Sequence, residues 1–255
     1  MIIEHRGKRP TIHPTAYIAP NAVVSGDVTI GANTRVLYGA VITSEGAPVR
    51  IGENVVIMEN AVVRASGGRT RKFPTTIGDY VLIGPNTYVS GAKLEYRAFV
   101  ATGAVVFNGA VIGRNAAVAI GAIVHIQTRV PDETVVPLKH IVIGDPCKLY
   151  APNQADEIID ELMRRNFRDY VFDLRDEEIL AAHYSRSLSA HSNDRVLDEP
   201  ASSASSASSA SSPAPKKTRA IEPAAATVSS AAGSGQAAKR TANAKRAAST
   251  SRRKR

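Results

Sequence analysis

An aliphatic residue returns at every sixth position through most of this chain. The series runs Ile12, Ile18, Val24, Ile30, Val36, Ile42 and, after a three-residue insertion, Ile51, Ile57, Val63. Eight further residues separate it from Ile77, Ile83, Val89. It then continues, one residue short, as Leu94, Val100, Val106, Ile112, Val118, Val124, Val130 and Val136. Four positions after these stand small or β-branched residues, among them Ala22, Ala40, Ala61, Ala98, Ala104, Ala110 and Ala116. A register held this long is the mark of a repeat architecture. Each hexad supplies one short strand and one corner. The aliphatic side chain points inward from the flat side, and the small one points inward at the corner, where space is tight. Three hexads close a triangular coil, and coils stack at the strand spacing of about 4.8 Å. No hexad can bury its own apolar face, so the stack folds as one unit. The spacing predicts an all-β solenoid, a parallel β-helix over residues 12 to about 141 inside a domain of residues 1–150.

Taking the hexads in rotation gives three faces. Face A carries Ile12, Ile30, Ile51, Ile77, Leu94, Ile112 and Val130. Face B carries Ile18, Val36, Ile57, Ile83, Val100, Val118 and Val136. Face C carries Val24, Ile42, Val63, Val89, Val106 and Val124. Both insertions and the contraction fall on the edge between C and A, a place where solenoids often bind. Neighbours of inward residues point outward. On face A those are mostly polar (Thr11, Thr29, Arg50, Thr76, Lys93, Arg129). On face C they are apolar (Val23, Val41, Val62, Tyr88, Val105, Ile123), and face B adds Leu37, Val56, Met58, Leu82 and Phe99. Two outer faces therefore need covers.

One cover lies in the chain itself. Residues 151–196 read as a helical segment packing on the β-helix. Asn153 is the expected N-cap, acids fill the first turn, and Ile158, Leu162 and Met163 form a stripe running through to Arg165. A second short helix is expected near 176–184. Residues 197–255 then form an Ala/Ser/Lys/Arg-rich tail that cannot bury enough apolar surface to order itself, and a disordered basic tail is expected. Residues 201–255 hold 11 Lys and Arg against Glu222 alone, a net charge of +10, so the remainder, with 21 bases and 22 acids, stands at −1. The basic balance of the whole chain thus says nothing about the folded part. A single cysteine, Cys147, excludes an intramolecular disulfide and reads as a small packed residue. The N-terminus has no hydrophobic signal core, and no run is long enough to span a membrane, so a cytoplasmic location is expected.

Several stretches carry a family resemblance: Gly26-Asp-Val-Thr-Ile-Gly, Tyr38-Gly-Ala-Val-Ile, Val49-Arg-Ile-Gly-Glu-Asn, Thr76-Ile-Gly-Asp-Tyr-Val-Leu-Ile-Gly and Gly144-Asp-Pro-Cys-Lys. In these, over roughly residues 10–180, the chain resembles the gamma-class carbonic anhydrases of the hexapeptide-repeat (transferase) superfamily. The resemblance implies a left-handed β-helix, a homotrimer, and a Zn²⁺-type ion held by three imidazoles with one open position for an ionising water. The positions that match those histidines hold Arg64, Pro85 and Ser90. Arg64 and Ser90 are 26 residues apart, which is one coil plus the eight-residue insertion, so they belong on neighbouring strands of face C. Pro85 would approach from a neighbouring subunit, as the family's second ligand does. The family's Arg-Gly-Asp falls on Thr43-Ser44-Glu45 and its active-site Gln on Met58. Proline cannot ligate a metal, and a guanidinium stays protonated and repels a cation. The expectation is therefore no metal site, no cofactor and no carbon dioxide hydration by the family route. His125 shares the outward column of Arg64 and Ser90 with Phe107 between; it reads as an ordinary boundary histidine, as do the others.

Three functional readings stand at this point. The first is a catalytically inactive trimeric scaffold or binding module. The second is an acyltransferase on the same fold; such enzymes usually present a His base near an acyl-CoA groove, and the loop Ser66–Thr75 has none. The third is a carbonic anhydrase with a relocated metal site. Arg69, Arg71 and Lys72 of that loop, together with Arg64, are candidate anion-binding residues. The basic clusters within 213–255 suit sequence-independent contact with a polyanion such as nucleic acid.

Overall fold

The computed structural model describes residues 1–174 and 178–197. The expected tail lies outside them. Residues 2–143 form a parallel β-solenoid of three sheets, and each sheet is one of the three faces read from the sequence. Face A stacks seven strands from Thr11–Ile12 to Arg129–Val130, and face B seven from Tyr17–Ile18 to Val135–Val136. Face C carries the same stack from Val23–Ser25 to Ile141–Ile143, and the strand Ile2–Glu4 extends it ahead of the first hexad. Ile2 pairs in register with Val24, so this strand continues the inward column although it lies before the periodic series.

Inward residues repeat in register through the stack. Val63 lies opposite Ile42 on one side and Val89 on the other, and all three are fully buried. One continuous apolar cluster runs from Ala19 to Val142. A fully buried Val or Ile contributes about 1.5–3 kcal/mol, and truncating one such as Ile57 to Ala is expected to cost about 2–5 kcal/mol. Corners are as tight as the small residues implied. A Cβ on Gly31 would meet the carbonyl oxygen of Gly52 at 2.5 Å, and one on Gly52 would meet Oδ1 of Asp79 at 2.2 Å.

After the last coil, Lys148–Tyr150 turns back antiparallel on Ile141–Ile143. Three helices follow: α1 (Ala155–Arg164), α2 (Phe167–Phe172) and α3 (Leu180–Ser187). The start of α1 differs from expectation. Gln154, not Asn153, is the N-cap, and its Oε1 is occupied by the backbone N–H of Ala151 at 2.8 Å. Ile158 is buried against Ile143 and Tyr150, with Leu162 beside it, but Met163 is 78% exposed and lies off the buried stripe. The second expected helix is displaced to 180–187, and α2 is an element the hydrophobic pattern does not announce. It is short, and its cap is local: Asn166 adopts a left-handed conformation and its side chain accepts from the Asp169 N–H.

The segment from α1 onward covers face C as a strap. It starts on the last coil, where Ile158 packs, and passes Phe107 and His125 through Phe167, at 5.4 and 5.7 Å between ring centres. It ends beside the first strand, where Arg195–Leu197 pairs antiparallel with Ile2–Glu4. Its contacts fall on the column of Arg64, Phe107 and His125, and the expected apolar column beside it, from Val23 to Ile123, is half-buried. Face B is more open: Tyr17, Phe99 and Val135 are 40%, 42% and 64% exposed.

Candidate functional site

Outward positions on three adjacent strands of face C bring the matched residues together. Arg64 lies directly opposite Thr43 on one neighbouring strand and Ser90 on the other, and Glu45 lies opposite Ser66 two residues further along. Pro85 and Met58 sit apart from this group, on the turns that lead from face B to face C. The register read from the sequence is therefore the register observed.

The strap turns this surface into a chamber. A cavity of about 300 Å³ lies between face C and the strap, bounded by Arg64, Tyr88, Ser90, Phe107 and Asn108 on one side and by Phe167, Phe172 and Tyr184 on the other. Ser90 and Asn108 are buried, and the Asn108 amide donates to Ser66 Oγ at 2.8 Å. Arg64 donates through Nη2 to the Tyr184 hydroxyl at 2.8 Å, and its Nε, also buried, has no acceptor. Burial works against the charge on Arg64, but the phenols of Tyr184 and Tyr88 outweigh it and the net direction of its pKa is upward. The result is a permanently charged guanidinium with one orphaned donor, on a residue of the wall of a cavity that five aromatic rings also line. A metal ion does not fit at these positions. Pro85 has no donor atom, Ser90 offers only a hydroxyl, and the third position is a cation.

His125 lies further along the same column, with Phe107 between as the sequence implied. It is 7% exposed, wedged at 5.7 Å from both Phe107 and Phe167, and its Nδ1 has no partner. Burial, helped by the Arg165 charge, pushes its pKa down to about 4, so the ring is neutral at pH 7. Cys147 packs partly buried against the core, and burial raises its thiol pKa.

The basic loop folds as a hairpin, with Ser66 opposite Phe73 and Gly67 opposite Lys72. Two of its three cations face the strap. Arg69 pairs with Glu178 at 2.7 Å and Arg71 with Asp169 at 3.3 Å, and Lys72 donates to the Gly68 carbonyl at 3.1 Å. Thr70 holds Asp173 through both its N–H and its hydroxyl, which lowers the pKa of that acid. Buried Phe73 packs on Tyr170 at 5.0 Å. Of the four residues read as anion-binding, then, only Arg64 opens on the chamber, and the loop itself clasps the strap.

Sequence reasoning missed Phe167, Phe172 and Tyr184, which close the chamber. One signal was present. Four of the thirteen aromatic residues (8 Tyr, 5 Phe) fall between positions 167 and 184, in a segment with no strand periodicity. Such a concentration implies a large apolar partner surface.

A family model described as bacterial transferase hexapeptide (six repeats) matches residues 9–44. Gamma carbonic anhydrase 2, mitochondrial, of Arabidopsis thaliana is 31% identical over 192 residues, covering 74% of this chain and 65% of that protein. Gamma carbonic anhydrase 1, mitochondrial, of the same plant is 34% identical over 130 residues, 50% of this chain and 47% of that protein. The probable carbonic anhydrase of Methanocaldococcus jannaschii is 39% identical over 89 residues, 35% of this chain and 54% of that protein. The chain thus spans less than two thirds of the length of each of these relatives. Among solved structures, a hexapeptide transferase family protein from Anaplasma phagocytophilum shares 24% identity, with 73% of this chain and 96% of that one covered and a TM-score of 0.42.

Proposed function

We propose, for a chain that is a gamma-carbonic-anhydrase-like hexapeptide-repeat protein, that it does not hydrate carbon dioxide and instead binds a small organic anion over Arg64, as a homotrimer. The observation that carries this reading is the buried Nε of Arg64, a charged donor with no acceptor, on a residue that lines a cavity of about 300 Å³. Buried donors are almost always satisfied, so an orphan beside a cavity marks the place of an acceptor. Nη2 is held by Tyr184 and Tyr88 also hydrogen-bonds the guanidinium, so the Nε–H is the donor left for a carboxylate oxygen, a charge-assisted hydrogen bond. Phe107, Phe167 and Phe172 supply apolar walls for the rest of such a ligand. The relatives' chemistry needs three imidazoles, and Arg64, Pro85 and Ser90 supply none.

Two measurements test the reading together. In stopped-flow assays, carbon dioxide hydration by purified protein should match buffer, with or without added Zn²⁺. In calorimetric titration with a panel of aliphatic and aromatic carboxylates and acyl-CoA, at least one carboxylate should bind, and Arg64→Gln should weaken it by ten-fold or more. Hydration that rises with zinc would overturn the inactive reading. Acyl-CoA binding that ignores Arg64→Gln would favour a transferase.

A further inference from the structure

Four side chains from distant parts of the sequence meet where the strap reaches the first coil. His5 follows the first strand, Glu45 ends the strand Val41–Glu45, His191 lies in the 3-10 turn Ser189–Asn193, and Asp194 comes next. His5 is 1% exposed and stacks on His191, with ring centres 4.5 Å apart. One edge of the stacked pair faces Asp194: Nδ1 of His5 lies 2.5 Å from Oδ1, and Nδ1 of His191 lies 2.8 Å from Oδ2. The opposite edge faces Glu45: Nε2 of His191 lies 2.8 Å from Oε1, and Nε2 of His5 lies 3.5 Å from Oε2.

One acceptor in this ring of contacts is left without a proton. Arg6 Nε donates to His5 Nε2 at 3.1 Å, so that nitrogen carries a lone pair and the proton of His5 sits on Nδ1, donated to Asp194. Nε2 of His5 then has no proton to give Glu45. Oε2 of Glu45 is buried with no donor. A buried carboxylate oxygen without a donor is costly, and it calls for a state of the protein in which it has one.

We propose that His5, His191 and Asp194 form a binding site for a divalent transition-metal ion of the zinc class, with Glu45 as its outer carboxylate. Among the described residues these three bring ligand atoms within 4.8 Å of one another. The ligands are Nδ1 of His5, Nδ1 of His191 and an Asp194 oxygen. A metal-bound imidazole carries its proton on the other nitrogen and donates it to a carboxylate or carbonyl. Binding through both Nδ1 atoms therefore puts N–H on both Nε2 atoms, and both face Glu45. The orphaned Oε2 gains its donor from His5, and Oε1 keeps His191. The proton of His5 moves from Nδ1 to Nε2, and any second proton on His191 leaves to solvent. Arg6 gives up its contact with His5 and keeps its Nη2 hydrogen bond to the Ser187 carbonyl, at 2.9 Å. The two carboxylates balance the charge of the ion. Two imidazoles with one carboxylate suit Zn²⁺, Co²⁺ or Ni²⁺ and not the oxygen-seeking Ca²⁺ or Mg²⁺. None of these ligands is among Arg64, Pro85 and Ser90, so this is not the relatives' centre. The ion would staple residue 191 to residue 5 and so fix the end of the strap that closes the chamber over Arg64.

The test is titration of the full-length protein with ZnCl₂ by calorimetry and with CoCl₂ by visible absorption. One equivalent should bind, with a cobalt ligand-field band, and CaCl₂ should not compete. His191→Ala lies in a partly exposed turn, so folding is expected to survive and is checked by circular dichroism. It and Asp194→Asn should each weaken binding at least ten-fold, and Glu45→Gln should weaken it by about 10–100-fold, the usual cost of losing an outer partner. His13→Ala is the control and should change nothing. Absence of saturable binding, or binding that survives His191→Ala in folded protein, would overturn the proposal.

Discussion

Arg64 Nη2 lies 2.8 Å from the hydroxyl of Tyr184, a contact between the third coil and a helix 120 residues later. It ties the strap to the strand position that the resemblance to the gamma-class carbonic anhydrases matches with a metal-ligand histidine. The resemblance gives that position the role of a ligand, and here it holds an anchor. Arginine suits the second role because its remaining donors stay available for a ligand after one is used.

Tyr184→Phe should remove that anchor alone. A net hydrogen bond to a charged group is worth about 1.5–3 kcal/mol when buried, and the partial exposure of Arg64 places the expected loss nearer 1 kcal/mol. Urea denaturation monitored by circular dichroism measures it. An unchanged midpoint would mean that the strap is held by its aromatic contacts and the loop clasp, without this bond.

His125 gives the protein an acid weakness of known sign. Its pKa in the folded chain, about 4, lies below the ordinary value of 6.5. The unfolded chain therefore takes up the proton first, and stability falls as pH drops from about 6.5 to about 4. Between pH 7 and pH 4.5 the loss should be about 2–3 kcal/mol. His191 runs the other way. Its pKa is raised; burial opposes the charge, but Asp194 and Glu45 outweigh it. Its stabilisation is complete below pH 6.5 and is lost only as pH rises through the folded value. His125→Phe keeps an aromatic ring between Phe107 and Phe167 and removes the unpartnered Nδ1. Urea midpoints at the two pH values should lie closer together for the variant than for the parent. Equal sensitivity in both would place the acid weakness elsewhere.

The proposed trimer is expected to use the face the strap leaves open. The strap runs along face C, so a second copy is expected to cover the apolar positions of face B, Phe99 and Val135 among them. Light scattering of the parent should give three times the chain mass of 27.0 kDa. Phe99→Glu should lower that mass, whereas Tyr88→Asp, under the strap, should raise protease sensitivity of the C-terminal segment and leave the mass alone. A monomeric parent at micromolar concentration would refute the trimer.

What could be read from the sequence divides along physical lines. The stack was legible because its packing is periodic: once Ile42, Val63 and Val89 are in register, so are Thr43, Arg64 and Ser90 beside them. The positions matched to the relatives' histidines therefore fell where the spacing put them. The strap was half legible. Ile158 and Leu162 follow a helical period, but Met163 does not share their burial, and the N-cap moved by one residue because Gln154 reaches back to Ala151. The chamber and the His5–Asp194 cluster were not legible. They depend on how residues 167–194 lie along face C, and no local pattern encodes a contact between residues 5 and 191. His5 and His191 looked ordinary because each alone is ordinary.

The tail carries the last prediction, and it follows from charge alone. Removing residues 201–255 takes away 11 bases and one acid and leaves a protein near −1. The Ala/Ser/Lys/Arg composition of the removed segment offers little apolar surface to bury, so the melting temperature should barely change on truncation. Polyanion binding should change a great deal. Each Lys or Arg that neutralises a phosphate releases condensed counterion, so log affinity falls with log salt at a slope of about −0.9 per contact. The clusters Lys216-Lys217, Lys239-Arg240, Lys245-Arg246 and Arg252–Arg255 contain no aromatic residue that could stack on a base, so binding should lack sequence preference. A salt titration of the full chain and the truncated chain against one random duplex reads both quantities. The full chain should bind weakly and lose affinity steeply with salt, and the truncated chain should show little binding at any salt. If the truncated chain bound as well as the whole, the contact would have to lie on the folded part. Arg69 and Arg71 would be poor candidates for it, because Glu178 and Asp169 already hold them, and the exposed cations of face A would be the next to mutate.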